Sequence, residues 1–384
     1  MTQDIYSIYK KLLWAVIIFA VLMGGLTAAF MIFYRIPSLS DNRNAAVKEL
    51  ERGTIESSYA GLSEQGAAAS AVPSSGAAPA AQADASSVPE PSGMELFLDS
   101  TSPDTDYLWI PVEGGITSAD IMIENHYVDH QLWVAIMGGN SDFYAGNYVS
   151  GDLSGVVRGE ADDAPDRLIL KFTMDRVYEY DTIFENGVLY VETRMPRELY
   201  GRIVVVDPAG YVPEELIVQG SADPAVICQD VAAKVQAGLE ADGVRVYVTS
   251  ADGRVASDEA SLSLASDVRP DMYVRIETSY DEDSREYGTM TVYNGTYFIP
   301  GFGSVELADL LEAHVTTAIG GKARGLVMAG ESDVVISGST VPAATIKVGY
   351  YTNSQENILL NRDDYRTRIA EGILAAVREA YGED

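Results

Sequence analysis

The spacing of apolar and polar positions divides the chain into five stretches, 1–11, 12–34, 35–93, 94–197 and 198–384. A short polar head with Lys10 and Lys11 precedes Leu12 to Tyr34, which carries no charge before Arg35. An apolar run at or above about 20 residues spans a bilayer as a helix, and Trp14 and Tyr34 suit its interfacial ends. The apolar core of a cleaved signal peptide is shorter, about 7–15 residues, so the pattern predicts an uncleaved membrane helix. Beyond it, Gly66 to Pro91 is almost entirely Ala, Ser, Pro, Gly and Gln with no hydrophobic period. Such a composition cannot bury enough surface to offset its ordering entropy. It predicts a linker over 35–93, with a short helix over 42–58 ahead of its low-complexity part.

From Met94 to about Pro196 the pattern is that of short strands. Leu168, Leu170 and Phe172 alternate with Arg167, Lys171 and Thr173, and only Ile169 breaks the rhythm. Asn186-Gly187 between two strand-like arms is a strong hairpin signal. These features predict a small β-sandwich. From about Glu198 strands alternate with helices. Ile203 to Val206 is a continuous β-branched run, as in a strand buried on both faces, and it stops at Asp207-Pro208. Asp223-Pro224 supplies an N-cap and an N1 proline for a helix through Glu240, with Val226, Ile227, Val231, Val235 and Leu239 as its apolar face. Strands over 244–249, 272–276, 287–293 and 344–350 and helices over 258–266, 305–319 and 365–381 follow. The expected fold class is α/β, a mostly parallel sheet covered by helices, preceded by the all-β sandwich, the linker and the one membrane helix. In such a sheet ligands sit beyond the carboxyl ends of the strands, which directs attention to Asp207 to Gly210.

Charge narrows the function classes. A formal net charge of -31 leaves no basic stripe to neutralise phosphates, so nucleic acid is not an expected partner. It also disfavours tight binding to anionic polymers. Cys228 is the only cysteine, which excludes an internal disulfide, and within an apolar helix it reads as a small core residue. The histidines are His126, His130 and His314. His126 and His130 lie four apart, a spacing that converges on a helix but not on the strand and turn expected there.

The stretch Gly201 to Tyr211, G-R-I-V-V-V-D-P-A-G-Y, resembles the I-V-L-D-P-G-H-G-G of the zinc-dependent N-acetylmuramoyl-L-alanine amidases. Three further stretches extend the resemblance. Gly243 to Thr249 is similar to G-V-x-V-x-x-T-R, with Ser250 in place of the Arg; Asp271 to Glu277 is similar to A-D-x-x-x-S-I-H; Lys347 to Asn353 is similar to E-x-G-F-x-S-N. The resemblance implies an amidase-like fold, zinc as cofactor, and ligand and catalytic positions at Gly210, Pro224, Glu277 and Lys347. None of these is the family's own residue, and only Glu277 could ligate, unless Asp223 replaces Pro224. The sandwich, by position and strand rhythm, looks like the AMIN modules that direct some wall amidases to peptidoglycan.

The expectation is therefore a catalytically degenerate amidase relative, with no catalytic residue and no metal. It would be a single-pass membrane protein, its N-terminus cytoplasmic and its C-terminal domains outside, binding peptidoglycan or regulating a cell-wall hydrolase. Asp207, Tyr211, Glu277, Tyr280, Lys347, Tyr351 and Asn353 are the ligand-binding candidates, with Glu277 and Lys347 facing each other as a charge pair. Two other readings stand beside it: an active hydrolase with a non-standard metal site, with Asp207, Asp223 and Glu277 around a hard cation, and a structural membrane-anchored interaction protein.

Overall fold

A computed structural model describes residues 93–101, 105–250 and 253–382. The head, the membrane helix expected over 12–34 and all but the last residue of the expected linker lie outside the described residues. Among the described residues, no helix is long and apolar enough to cross a membrane. The described residues belong to one compact unit, Ser86–Asp384.

Its first part contains β1 (Met94–Glu95), β2 (Leu98–Asp99), β3 (Tyr107–Pro111), β4 (Ile121–His126), β5 (Gln131–Met137), β6 (Val149–Gly151), β7 (Val156–Asp163), β8 (Arg167–Met174), β9 (Glu179–Glu185) and β10 (Val188–Arg194). They form two five-stranded sheets, β1-β7-β8-β5-β4 and β2-β6-β3-β10-β9. Period-2 alternation drives Leu168, Leu170, Phe172 and Met174 of β8 into a core shared with Leu108 and Ile110 of the other sheet, so the two sheets are the halves of a sandwich. Ile169, the apparent exception in the pattern, is half-buried on the outer face. Asn186 and Gly187 both adopt positive φ, 52° and 76°, the geometry of a type I′ turn between β9 and β10.

The second part runs α1 (Pro196–Leu199), β11 (Ile203–Pro208), α2 (Pro224–Ala241), β12 (Arg245–Val248), α3 (Asp258–Val268), β13 (Met272–Ser279), β14 (Thr289–Tyr293), α4 (Ser304–Ile319), β15 (Ala323–Met328), α5 (Val334–Gly338), β16 (Ala343–Tyr350), α6 (Ser354–Leu360) and α7 (Asp363–Ala380). Its six strands are ordered β12-β11-β13-β16-β14-β15, and every neighbouring pair is parallel except β14 with β16. The segment 280–288 leading into β14 contains no helix. Without a helical crossover β14 returns in the opposite direction, so the sheet is mixed at one edge.

Every residue of β11 is buried. Its neighbours β12 and β13 pair on both sides, and its side chains pack into helices on one face and into α3, α5 and part of the sandwich on the other. On α2 the buried stripe is Ile227, Cys228, Val231, Ala232, Val235 and Leu239. Val226, expected on that face, is exposed, and Cys228 takes its place next to the i, i+4 row. Burial, above all, pushes the Cys228 thiol up, in keeping with a core residue.

The two parts are joined by polar keys. Glu179 of β9 accepts from Arg245 Nε (3.0 Å), Arg245 Nη2 (2.7 Å) and the Tyr247 hydroxyl (2.5 Å). Tyr127 Oη donates to Val248 O (3.2 Å) and accepts from Val248 N (3.0 Å), satisfying backbone groups on the outer edge of β12 that a further strand would otherwise pair. Val177 N donates to Asp267 (3.1 Å), and the Val177 side chain is buried beside Ile203 and Val205.

Candidate functional site

The site lies where β11, β13 and β16 end. Alternation along β13 sends Val274 and Ile276 into the helical core and Tyr273, Arg275 and Glu277 to the other face. Asp207, 1% exposed, accepts from Thr249 Oγ1 (2.5 Å) and the Tyr273 hydroxyl (2.6 Å), with Arg275 Nη1 at 3.6 Å. Burial first, and the Asp207 charge second, push the Tyr273 phenol well up, so it stays a donor. Arg275 bonds Glu277 Oε1 through Nε (3.0 Å) and Asp258 Oδ1 through Nη1 and Nη2 (3.1 and 3.2 Å). Burial opposes its charge, but Asp207 and Glu277 outweigh that cost and the guanidinium pKa is raised. Glu277 and Lys347 are in register across β13 and β16, and Lys347 Nζ stands 3.2 Å from Glu277 Oε2. The result is a continuous polar chain, Thr249–Asp207–Arg275–Glu277–Lys347.

Gly210 follows directly. A Cβ placed there would lie 2.3 Å from Pro224 O and 2.4 Å from Pro224 C, so the first turn of α2 leaves no room for a side chain. Asp223 is occupied as the cap of that helix, its carboxylate accepting from Ala225 N at 2.8 Å. Tyr211 and Tyr280, 68% and 41% exposed, meet edge to face with ring centroids 6.3 Å apart.

Tyr351 and Asn353 do other work. Tyr351 is fully buried, its amide donating to Ser279 O (2.7 Å) and its hydroxyl to Ala222 O (3.1 Å), so its ring packs the core instead of facing a ligand. Asn353 caps α6, accepting from the Gln355 and Glu356 amides (3.0 and 3.1 Å), and its Nδ2 donates to Ser284 O (2.9 Å). Glu356 accepts from the amides of Gly288 (2.9 Å) and Tyr350 (2.6 Å); burial outweighs these donors and raises its carboxyl pKa.

The histidines do not converge. His126 bonds Glu124 (2.8 Å) and stacks on Trp133; His130 faces Asp267 (3.3 Å); His314 faces Glu379 (2.7 Å). Among the described residues no three His, Cys, Asp or Glu side chains are grouped to hold a metal ion. The central residue, Arg275, escapes a reading of the sequence that looks for ligands and bases. Its signal was the period of 2 that sets it beside Glu277 and Tyr273.

The C-terminal part is thus a helix-covered α/β sheet with a polar cluster on the C-terminal halves of its central strands. Residues 219–379 match the family model for N-acetylmuramoyl-L-alanine amidase, which supports an amidase-type domain in this stretch. The N-acetylmuramoyl-L-alanine amidase CwlM of Mycobacterium tuberculosis is 27% identical over 193 residues, 48% of this chain and 46% of the relative. The N-acetylmuramoyl-L-alanine amidase LytC of Bacillus subtilis is 20% identical over 183 residues, 48% of this chain and 36% of the relative. The match therefore spans less than half the length of either. Among solved structures, the catalytic domain of the amidase CwlV from Bacillus (Paenibacillus) polymyxa is 22% identical and covers 48% of this chain and 99% of its own, with a TM-score of 0.43. The CwlD amidase from Clostridioides difficile, solved in complex with the GerS lipoprotein, is 16% identical and covers 48% of this chain and 100% of its own, with a TM-score of 0.39.

Proposed function

We propose that this protein is a non-catalytic relative of the N-acetylmuramoyl-L-alanine amidases. In this reading it is anchored in the membrane by residues 12–34 with its folded part outside, and it binds peptidoglycan or regulates a cell-wall hydrolase by contact. The observation that carries it is the Lys347–Glu277 pair, 3.2 Å apart at the two positions where the family resemblance places a catalytic Glu and a metal-binding His.

The zinc that the resemblance implies needs about three protein ligands and one open position. The residues present do not fit it. Gly210 has neither a side chain nor room for one, and Pro224 has no donor. The Asp223 carboxylate caps α2, and both oxygens of Glu277 face cations, Arg275 and Lys347. The Lys347 ammonium would repel a dication. An envelope setting is supported by the amidase match and by the charge-free run of 12–34.

The reading is tested by incubating the full chain with purified peptidoglycan, then measuring protein sedimented with the wall and stem peptide released. Release of peptide, lost in Glu277→Gln, would overturn it in favour of an active hydrolase.

A further inference from the structure

Among the described residues, six tyrosines of the second part lie under a cation; Lys322 over Tyr287 (4.5 Å), Arg202 over Tyr381 (4.9 Å) and Arg324 over Tyr350 (5.1 Å) are examples, with Tyr200, Tyr247 and Tyr365 the others. Tyr211 and Tyr280, the exposed pair at the rim of the site, have only each other among the described residues. Each stands at the head of a run of carboxylates. Glu214 and Glu215 follow Tyr211, Asp281 and Glu282 follow Tyr280, and all four are exposed. Among the described residues none of the four is in an ion pair, although the Asp281 charge helps to keep Arg324 protonated, and Asp283 and Glu286 further along are taken by Arg285 and Arg324. Next to Tyr280 in the chain, the hydroxyl of Ser279, a residue 4% exposed, has no hydrogen-bond partner among the described residues.

Exposed aromatic faces flanked by carboxylates that stand outside ion pairs attract an organic cation, through the ring quadrupole and through charge. We propose that the Tyr211–Tyr280 rim is the docking site for a basic segment of a partner protein, a run of Lys or Arg side chains. This rests on the non-catalytic reading above and selects its regulatory arm. A wall peptide is the poorer occupant, because any carboxylates it carries would be repelled by a chain of net charge -31, whereas several successive cations match four acidic side chains on two loops. On the floor of the site Asp207 and Glu277 already balance Arg275 and Lys347, which leaves the rim as its unbalanced part.

The test is calorimetric titration of the full chain with tetralysine at low and at high salt, with tetraglutamate as the control. The expected result is salt-sensitive binding of tetralysine alone. It weakens about threefold to fivefold in Tyr211→Ala/Tyr280→Ala and is kept in Tyr211→Phe/Tyr280→Phe. Binding is lost in Glu214→Gln/Glu215→Gln/Asp281→Asn/Glu282→Gln but not when Glu95, Glu113, Asp181 and Glu185 of the sandwich are neutralised instead. Thermal unfolding of each variant confirms that it folds. Equal loss from both neutralised sets, or binding indifferent to the rings, refutes the site. Wall sedimentation that survives in the rim variants while tetralysine never binds refutes the inference alone and leaves the non-catalytic reading in place. Hydrolysis of the wall overturns that reading itself.

Discussion

Replacing Glu277 by Gln keeps the shape of the side chain and removes a charge that faces two cations of the site. Glu277 accepts from Arg275 Nε at 3.0 Å and meets Lys347 Nζ at 3.2 Å. The side chains are 21%, 14% and 26% exposed for Glu277, Arg275 and Lys347, so the cluster is mostly but not wholly removed from water. Breaking a fully buried pair costs about 3–5 kcal/mol, and losing an exposed one about 0–1 kcal/mol. Arg275 keeps Asp207 and Asp258, whereas Lys347 loses its only ion-pair partner among the described residues. A loss of about 2 kcal/mol follows, or a fall in Tm of about 4–8 °C for a domain of about 150–250 residues. Calorimetry of Glu277→Gln, Lys347→Met and the double variant measures it. The double variant should recover much of the loss, because the uncompensated ammonium is gone. Strictly additive effects, or a Tm unchanged in Glu277→Gln, would refute a coupled charge pair at this place.

The loop against α2 gives a second test: Gly210→Ala forces a Cβ to within 2.3 Å of Pro224 O, so urea unfolding should show a loss of about 1–3 kcal/mol. At the junction of the two parts, Glu179→Gln removes the charge that faces Arg245; the variant should melt earlier and become sensitive to limited proteolysis between 174 and 203, and an unchanged digestion pattern would argue against a docked pair. Asp230 bonds Lys234 and Arg366 and so ties α2 to α7. Although burial raises its carboxyl pKa, those partners outweigh burial and hold the value below the ordinary range. Its stabilising contribution is thus present above the unfolded value near about 4 and is lost as pH falls through the folded one. Asp230→Asn should be less stable than wild type at pH 7, with the gap closing at acid pH; a gap constant down the acid limb would contradict the assignment.

Legibility in the sequence tracked how local the cause was. The run Ile203 to Val206 could only be a strand covered on both sides, and β11 is fully buried between two parallel neighbours. Asn186-Gly187 and Asp223-Pro224 carry their turn and cap chemistry in adjacent residues, and both appear where that chemistry places them. By contrast β15, Ala-Arg-Gly-Leu-Val-Met, is an edge strand exposed at both ends, with an Arg and a Gly breaking its apolar rhythm, and no period betrays it. The reversed β14 follows from what the chain lacks, a crossover helix, and that shows only once the sheet order is known. At the site, the facing of Glu277 and Lys347 could be anticipated from two stretches that resemble family motifs. Arg275 could not, since a lone Arg in a strand reads as a solvated side chain until Asp207 and Asp258 arrive from other elements. Tyr351 stands near the end of the same strand as Lys347, yet its ring turns into the core.

The central claim, that this amidase-type domain carries its own cations where its relatives' resemblance implies a metal, is tested most directly by metal content. The full-length protein is incubated with excess zinc and dialysed, and metal per chain is measured alongside a Lys347→Glu/Gly210→His variant. The expected result is no retained zinc in either protein, because the backbone of Pro224 closes position 210 and Arg275 still holds Glu277. One zinc per chain in the unaltered protein would contradict the account, and Glu277 would then have to be read again as a ligand.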